Sequence, residues 1–217
     1  MANARLSQNL RGVIEWLYKD GAKWRRSLDS NDWRADAADT ISAFYKIFQN
    51  ENDFRHFMPD GNCQEVEFEK RLVVIKPPVD DKSVFPTLHC SWGGLDTDTP
   101  RIRLCLGLFV RVGKGMRFFG QRFEAPHGPG DHNYYHAQPI TGFNKNDEIL
   151  QRFAPRWLPD SYPAVPILCE DPFELTALML VSLYGQSILN QLRLLSSRNV
   201  IDGGAAKSVN NLIKRIS

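Results

Sequence analysis

The chain lacks the features that mark secreted, membrane and disulfide-stabilised proteins. Its N-terminus is polar and has no apolar segment of the kind that a signal peptide needs. Its longest apolar run, residues 175–184, is too short to cross a bilayer, which takes about 20 residues. The cysteines are Cys63, Cys90, Cys105 and Cys169, and no two of them form a C-x-x-C pair. We therefore expect reduced core thiols and a bacterial cytoplasmic location.

Motifs of the common enzyme classes are missing as well. The sequence has no P-loop, no H-E-x-x-H zinc motif and no G-x-S-x-G nucleophile elbow. The glycines at 113, 115 and 120 do not predict a dinucleotide loop, because a strand and not a helix is expected to follow them. Cys90 directly follows His89, and neighbouring strand residues point to opposite faces, so this pair does not indicate a cysteine nucleophile. The sequence leaves open whether the protein is an enzyme.

What the sequence does have is the composition of an ordinary globular domain. It contains 217 residues, of which 42% are hydrophobic and 24% are charged. Its net charge of +2 is too small to indicate a nucleic-acid-binding protein by itself, although a local basic patch is compatible with it. The length suits one domain over residues 1–217, with a core large enough to need neither disulfide nor metal.

Hydrophobic periodicity divides the chain into three parts. Residues 1–60 are predicted to be helical, residues 64–142 to form a sheet, and residues 147–217 to be helical again. Strands that follow one another without intervening helices favour an antiparallel meander. We therefore predict an α+β fold, in which a five-stranded, mainly antiparallel sheet carries N-terminal and C-terminal helices on one face. The other face would then be open to a ligand or partner.

The individual elements follow from local patterns. Helices are predicted over residues 6–28, 33–50, 147–153, 172–197 and 205–216. Strands are predicted over residues 65–75, 87–92, 101–112, 116–124 and 132–140. Asp171, Pro172 and Glu174 form a strong helix start, with Asp171 as the N-cap and Glu174 reaching back as in a capping box. Residues 155–166 contain four prolines and predict an extended, irregular loop.

Polar residues on the fourth and fifth predicted strands form the main candidate site. Residues two apart on a strand share a face, so Arg122 and Glu124 lie together. The fifth strand places four polar residues on one face: His132, Tyr134, His136 and Gln138. Glu124 and His136 are candidate catalytic residues, because a carboxylate beside an imidazole suits acid–base chemistry. His132 and His136 are candidate metal ligands. Such residues also occur in solvent-facing sheets and at interfaces, and all these alternatives stay open.

A second set of residues suits recognition of a partner. Arg103 and Arg111 share a face of the third strand with Phe109, an arrangement that suits a nucleic-acid backbone with stacked bases. Trp157 lies in the proline-stiffened loop and is a candidate anchor. The candidate ligand- or partner-binding residues are therefore Arg103, Arg111, Arg122, His132, Tyr134, Gln138 and Trp157.

Three tracts carry a resemblance to known proteins: residues 122–124 with 132–136, residues 157–166, and the helix that ends at residues 183–185. Over about half of the chain they resemble uncharacterised accessory proteins of bacterial mobile-element and antiviral defence operons. The resemblance implies a subunit of a larger machine, and no functional residue is carried over from it.

Two functions are compatible with these patterns. The first is a non-catalytic binding or adaptor subunit of a bacterial multiprotein system, which holds a protein or nucleic-acid partner on the polar sheet face and needs no cofactor or membrane. The alternative is a small metal-dependent hydrolase or nuclease that uses Glu124, His132 and His136 with a divalent metal. The first is the leading expectation, because arginine, histidine and tyrosine crowd one face without a catalytic motif.

Overall fold

The computed structural model describes residues 3–22, 73–79, 81, 83–93, 101–113, 115–126, 134–141 and 163–216. The elements in chain order are α1 (Asn3–Asp20), β1 (Val73–Val74), β2 (Val84–Gly93), β3 (Arg101–Val112), β4 (Gly115–Glu124), β5 (His136–Pro139), β6 (Val165–Pro166), α2 (Pro172–Tyr184), α3 (Ser187–Ser197) and α4 (Gly203–Ile216). The predicted helices over 33–50 and 147–153, most of the first predicted strand, and the candidates His132 and Trp157 lie outside the described residues.

The strands pair in chain order, β1 to β6, and every pairing is antiparallel. The predicted α+β class and antiparallel meander are therefore confirmed. Within the described ranges the sheet has six strands, because Val165 and Pro166 pair with Ala137 and His136 in a segment that was predicted to be a loop. Proline is tolerated there because β6 is the edge strand among those that the structure describes, and an edge strand needs no N–H on its outer side.

The alternation along β3 defines the two faces of the sheet. Ile102, Leu104 and Leu106 are buried and point to one face, here called the core face. The residues between them, including Arg103, point to the other face, here called the polar face. Gly113 closes the β3–β4 hairpin with a φ of 60°, a left-handed conformation that favours glycine.

The helices cover the core face, as predicted. The apolar stripe of α1 (Leu10, Val13, Ile14 and Leu17) is buried, and it joins one cluster with the core-face residues of β2–β4 and with α2, α3 and α4. The Trp92 indole N–H donates to Ser7 Oγ at 3.0 Å and ties β2 to α1. This apolar core holds the helical layer against one side of the sheet.

The helix predicted over residues 172–197 is two helices. Gly185 ends α2 with a φ of 71°, and α3 begins at Ser187. The predicted N-cap is confirmed, because Asp171 Oδ1 accepts from the Glu174 amide at 2.8 Å. Glu174 Oε2 reaches back to the Glu170 amide at 2.7 Å, one residue before the N-cap amide that a capping box uses. No described helix has the length and apolarity that crossing a membrane requires.

The expectation that the second sheet face is open is wrong for the half nearest the β3–β4 hairpin. Phe85 and Phe109 point to the polar face and are fully buried. The rings of Phe109 and Phe118 lie 4.8 Å apart between centroids. Gly107 and Gly120 are directly opposite on β3 and β4, and their missing side chains leave room for the Phe118 ring. This half of the face is therefore a second apolar cluster, and the polar residues gather in the other half.

Candidate functional site

In the half of the polar face away from the β3–β4 hairpin, polar residues from four strands lie in register. Ser91, Arg103, Glu124 and His136 lie side by side on β2, β3, β4 and β5. One step along the same face, Arg122 on β4 is opposite Gln138 on β5. Antiparallel register makes directly opposite side chains neighbours. We call Glu124 and the four side chains that surround it (Arg103, Arg122, His136 and Gln138) the Glu124 cluster.

The Glu124 carboxylate is the centre of this cluster. Its side chain is 2% exposed, and Arg103 Nε donates to Oε1 at 2.5 Å. Gln138 Nε2 donates to Oε2 at 3.0 Å, and Arg122 Nε lies 3.1 Å from the same oxygen. Burying a carboxylate is costly unless it is paired and hydrogen-bonded. The two guanidinium groups and the amide meet that requirement, and both carboxylate oxygens are engaged.

His136 closes the cluster from β5. Its side chain is 1% exposed, and Nε2 lies 3.5 Å from Glu124 Oε2. Nδ1 lies 3.1 Å from the Tyr134 carbonyl oxygen, and because a carbonyl can only accept, Nδ1 carries the proton. The imidazole is thus held between its own backbone and the carboxylate, inside the fold.

The electrostatics of the cluster keep Glu124 ionised. Burial alone raises the pKa of Glu124, but the Arg122 and Arg103 guanidinium groups outweigh it, assisted by hydrogen bonds from Arg103 and Gln138, so that the pKa falls below its ordinary value of 4.5. A carboxylate in this state is a weak base at neutral pH. It is better suited to fixing cations in place than to accepting protons.

The two arginines reach from the buried carboxylate to solvent. The Arg103 side chain is 51% exposed and the Arg122 side chain 36% exposed. Each approaches Glu124 with Nε, and Nε of Arg122 is itself buried. The exposed area of Arg122 therefore belongs to the rest of that side chain. The arrangement leaves part of each arginine side chain at the surface while its Nε atom faces the buried carboxylate.

The structure brings together most, but not all, of the predicted site residues. Glu124, His136, Arg103, Arg122 and Gln138 meet in the cluster. Tyr134 is 39% exposed, and its ring meets the His136 ring edge-on at 5.9 Å. Arg111 lies at the opposite end of β3, where its Nε donates to the Gly113 carbonyl at 3.4 Å. His132 and Trp157 lie outside the described residues.

Three polar-face residues near the cluster were not among the predicted site residues. His89 and Ser91 on β2 lie opposite Cys105 and Arg103, and Cys105 lies opposite Arg122. Burial raises the pKa of Cys105 to about 12, with Arg103 and Arg122 opposing the shift and Glu124 adding to it, so the thiol stays protonated. Strand alternation places Cys105 on the same face as Arg103, but only the pairing of strands reveals that β2 contributes to the same row.

The cluster is better arranged for holding anions than cations. Among the residues that the structure describes, no group of three or more histidine, cysteine, aspartate or glutamate side chains could hold a metal ion. Glu124, which was a candidate catalytic residue, uses both oxygens on guanidinium and amide donors. A divalent cation at Glu124 would also face two positive charges at close range.

Comparison of the chain with known protein families, with curated proteins and with solved structures finds no match. The chemistry of the site is therefore inferred from the Glu124 cluster itself. Two partly exposed arginine side chains paired with a buried carboxylate are an arrangement that can contact an anion.

Proposed function

We propose that the protein is a non-catalytic binding subunit of a bacterial multiprotein system, and that it holds a protein or nucleic-acid partner on the polar sheet face. One observation carries the proposal. The buried Glu124 carboxylate fixes Arg103 and Arg122 by their Nε atoms, while 51% and 36% of these side chains remain exposed. Preorganised guanidinium groups lose less side-chain entropy on binding than mobile ones.

The same geometry gives little support to a catalytic role. A general base needs an accessible lone pair and a pKa near the working pH. The oxygens of Glu124 are engaged and its pKa is lowered, with burial opposed by Arg122 and Arg103. Burial also raises the pKa of Cys105 and of Cys169 to about 12, so neither thiol is activated as a nucleophile. The metal-dependent hydrolase therefore has weaker support than the binding subunit.

The proposal is tested by partner capture with matched variants. The tagged full-length protein is expressed in bacteria, crosslinked in the cell and purified, and bound proteins and nucleic acids are identified by mass spectrometry and sequencing. Wild type is compared with Arg103→Gln/Arg122→Gln, and Arg111→Gln is the control. Arg111 lies on the same strand and face but outside the Glu124 cluster.

The binding proposal expects a defined partner that is retained by wild type and Arg111→Gln and lost from Arg103→Gln/Arg122→Gln. Equal recovery from all three proteins would overturn it. A turnover of nucleotides, DNA or RNA that His136→Ala abolishes without loss of fold, measured by circular dichroism, would overturn the non-catalytic part and favour the hydrolase.

A further inference from the structure

We propose that the Glu124 cluster binds single-stranded nucleic acid, with a backbone phosphate on Arg103 and Arg122 and a base against Tyr134. The inference rests on the proposed function and names the class of partner. It combines three features of the described residues: the orientation of the two arginines, their charge, and an exposed aromatic ring beside His136 of the same cluster.

The orientation of the arginines suits a tetrahedral oxyanion. Both guanidinium groups turn Nε toward the same buried carboxylate, and both side chains remain partly exposed. Because Arg103 and Arg122 come from neighbouring strands and approach different oxygens of Glu124, they can contact one phosphate from two sides. Guanidinium–phosphate contacts are charge-assisted and directional, which makes arginine the preferred residue for such recognition.

The local charge favours an anion. The Glu124 cluster combines the two guanidinium groups of Arg103 and Arg122 with the single carboxylate of Glu124. An excess of positive charge remains once Glu124 is neutralised. A polyanion gains more from such a patch than a single carboxylate, because it also releases counterions.

The exposed ring of Tyr134 favours nucleic acid over an acidic peptide as the ligand. Its ring is 39% exposed and stands edge-on to His136, which places an aromatic surface next to the cluster. An acidic peptide can pair with the arginines, but it carries no regularly placed group that would stack on the Tyr134 ring. A single-stranded nucleic acid offers a phosphate for the arginines and an unpaired base for the ring, whereas a duplex keeps its bases stacked inside.

The test is fluorescence anisotropy of a labelled, mixed-sequence 20-nucleotide DNA strand titrated with the full-length protein at several salt concentrations. Arg103→Gln/Arg122→Gln is expected to weaken binding at least about tenfold and to lower the slope of log K against log salt by about 0.7, since both arginines contact one phosphate and each phosphate neutralised on a single strand contributes about 0.7. Tyr134→Leu is expected to weaken binding by about fivefold to a hundredfold without changing that slope.

Two variants serve as controls for charge and for aromatic surface. Arg111→Gln removes a positive charge from the same face outside the cluster, and Phe119→Leu removes an aromatic ring that is 48% exposed on the opposite face. Both are expected to bind as wild type does. If circular dichroism shows that Arg103→Gln/Arg122→Gln is unfolded, Arg103→Lys/Arg122→Lys replaces it. That variant keeps the charge, so weaker binding with an unchanged salt slope is then expected.

Three results would overturn the inference. The first is no binding of the strand by wild type at low salt, and the second is equal binding by wild type, the arginine variant and Tyr134→Leu. The third is displacement of the strand by a polyglutamate peptide at equal charge concentration, which would assign the cluster to an acidic protein. The third result would leave the proposed binding function intact. Equal recovery of partners by wild type and both variants in the capture experiment would instead overturn the binding function and this inference together.

Discussion

Arg103 and Glu124 lie directly opposite each other on β3 and β4, and the Arg103 Nε atom is 2.5 Å from Glu124 Oε1. The pair crosses the boundary between interior and surface, because the Glu124 side chain is 2% exposed and that of Arg103 is 51% exposed. A buried anion thereby holds a surface cation. Since stability and recognition depend on the same contact, variants of Glu124 should affect both.

Glu124→Gln should lower the free energy of unfolding by about 2 kcal/mol. Removing one partner of a fully buried ion pair costs roughly 3–5 kcal/mol, and the partial exposure of Arg103 and Arg122 reduces that loss through solvent screening. Urea denaturation at neutral pH measures the change. Glu170→Gln is the control, because its side chain is 70% exposed in its pair with Arg215, and it should change stability by less than about 0.5 kcal/mol. Equal effects of the two variants would contradict this account.

The contribution of Glu124 should also disappear in acid. Burial raises the pKa of Glu124, but Arg122 and Arg103 lower it further, so the net value in the folded state is below the ordinary 4.5. The unfolded chain therefore takes up the proton first as the pH falls, and the stabilisation, complete above 4.5, is lost as the pH passes through the folded-state pKa. The difference in unfolding free energy between wild type and Glu124→Gln should be constant from about pH 7 to about pH 5 and shrink below about pH 4. A difference that grew in acid would reverse the assigned direction.

The described cysteines should react slowly while the protein is folded. Cys90, Cys105 and Cys169 are free thiols, and burial raises the pKa of each of them, to about 12 for Cys105 and Cys169. Because only the thiolate reacts, alkylation by iodoacetamide at pH 8 should be at least about tenfold slower than in guanidinium chloride. Peptide mass spectrometry follows each cysteine separately. Rapid labelling of Cys105 in the native protein would show that the polar face opens around the Glu124 cluster.

The long strand β3 and its hairpin partner could be predicted because their patterns are local. Alternation over Arg101–Val112 predicts which residues share a face, and the glycines that follow it predict the hairpin. The predicted strands 101–112 and 116–124 leave a three-residue turn and would place Arg103 opposite Ala125, whereas the structure pairs Val112 with Gly115 and therefore Arg103 with Glu124. The register of β4 on β5 depends on the connection over residues 125–135, and the length of that connection does not determine it. The approach of His136 to Glu124 is therefore seen only in the structure.

Other features depend on interactions that a local pattern does not contain. Strand β6 consists of Val165 and Pro166 and exists through pairing with β5, so its own sequence carries no strand signal. Gly185 falls inside an apolar helical pattern, where glycine is tolerated as often as it ends a helix. Alternation also places Phe109 on the outward face without indicating that it is buried. For that reason the sequence does not predict the apolar cluster around Phe109 near the β3–β4 hairpin.

Gly107→Ala tests how this apolar cluster is built. A Cβ atom at position 107 would lie 2.6 Å from Thr87 Oγ1 and 2.7 Å from Phe118 Cε2, both closer than van der Waals contact allows. Thr87 is itself fixed by its hydroxyl, which donates to the Gly107 carbonyl at 3.3 Å, and Phe118 packs on Phe109. Neither neighbour can move without disturbing the buried cluster. We expect a loss of about 1–3 kcal/mol, as for other overpacked sites.

Urea denaturation of Gly107→Ala, Gly203→Ala and Gly107→Ala/Phe118→Leu separates overpacking from the general effect of replacing glycine. Nothing lies within 4 Å of a Cβ atom at Gly203, so Gly203→Ala should be neutral or slightly stabilising. Shortening Phe118 to leucine removes the ring that the new methyl group meets, and the double variant should therefore lose less than the sum of the two single variants. If the losses of unfolding free energy in the two single variants simply add in the double variant, the Phe118 ring does not need the space that Gly107 leaves.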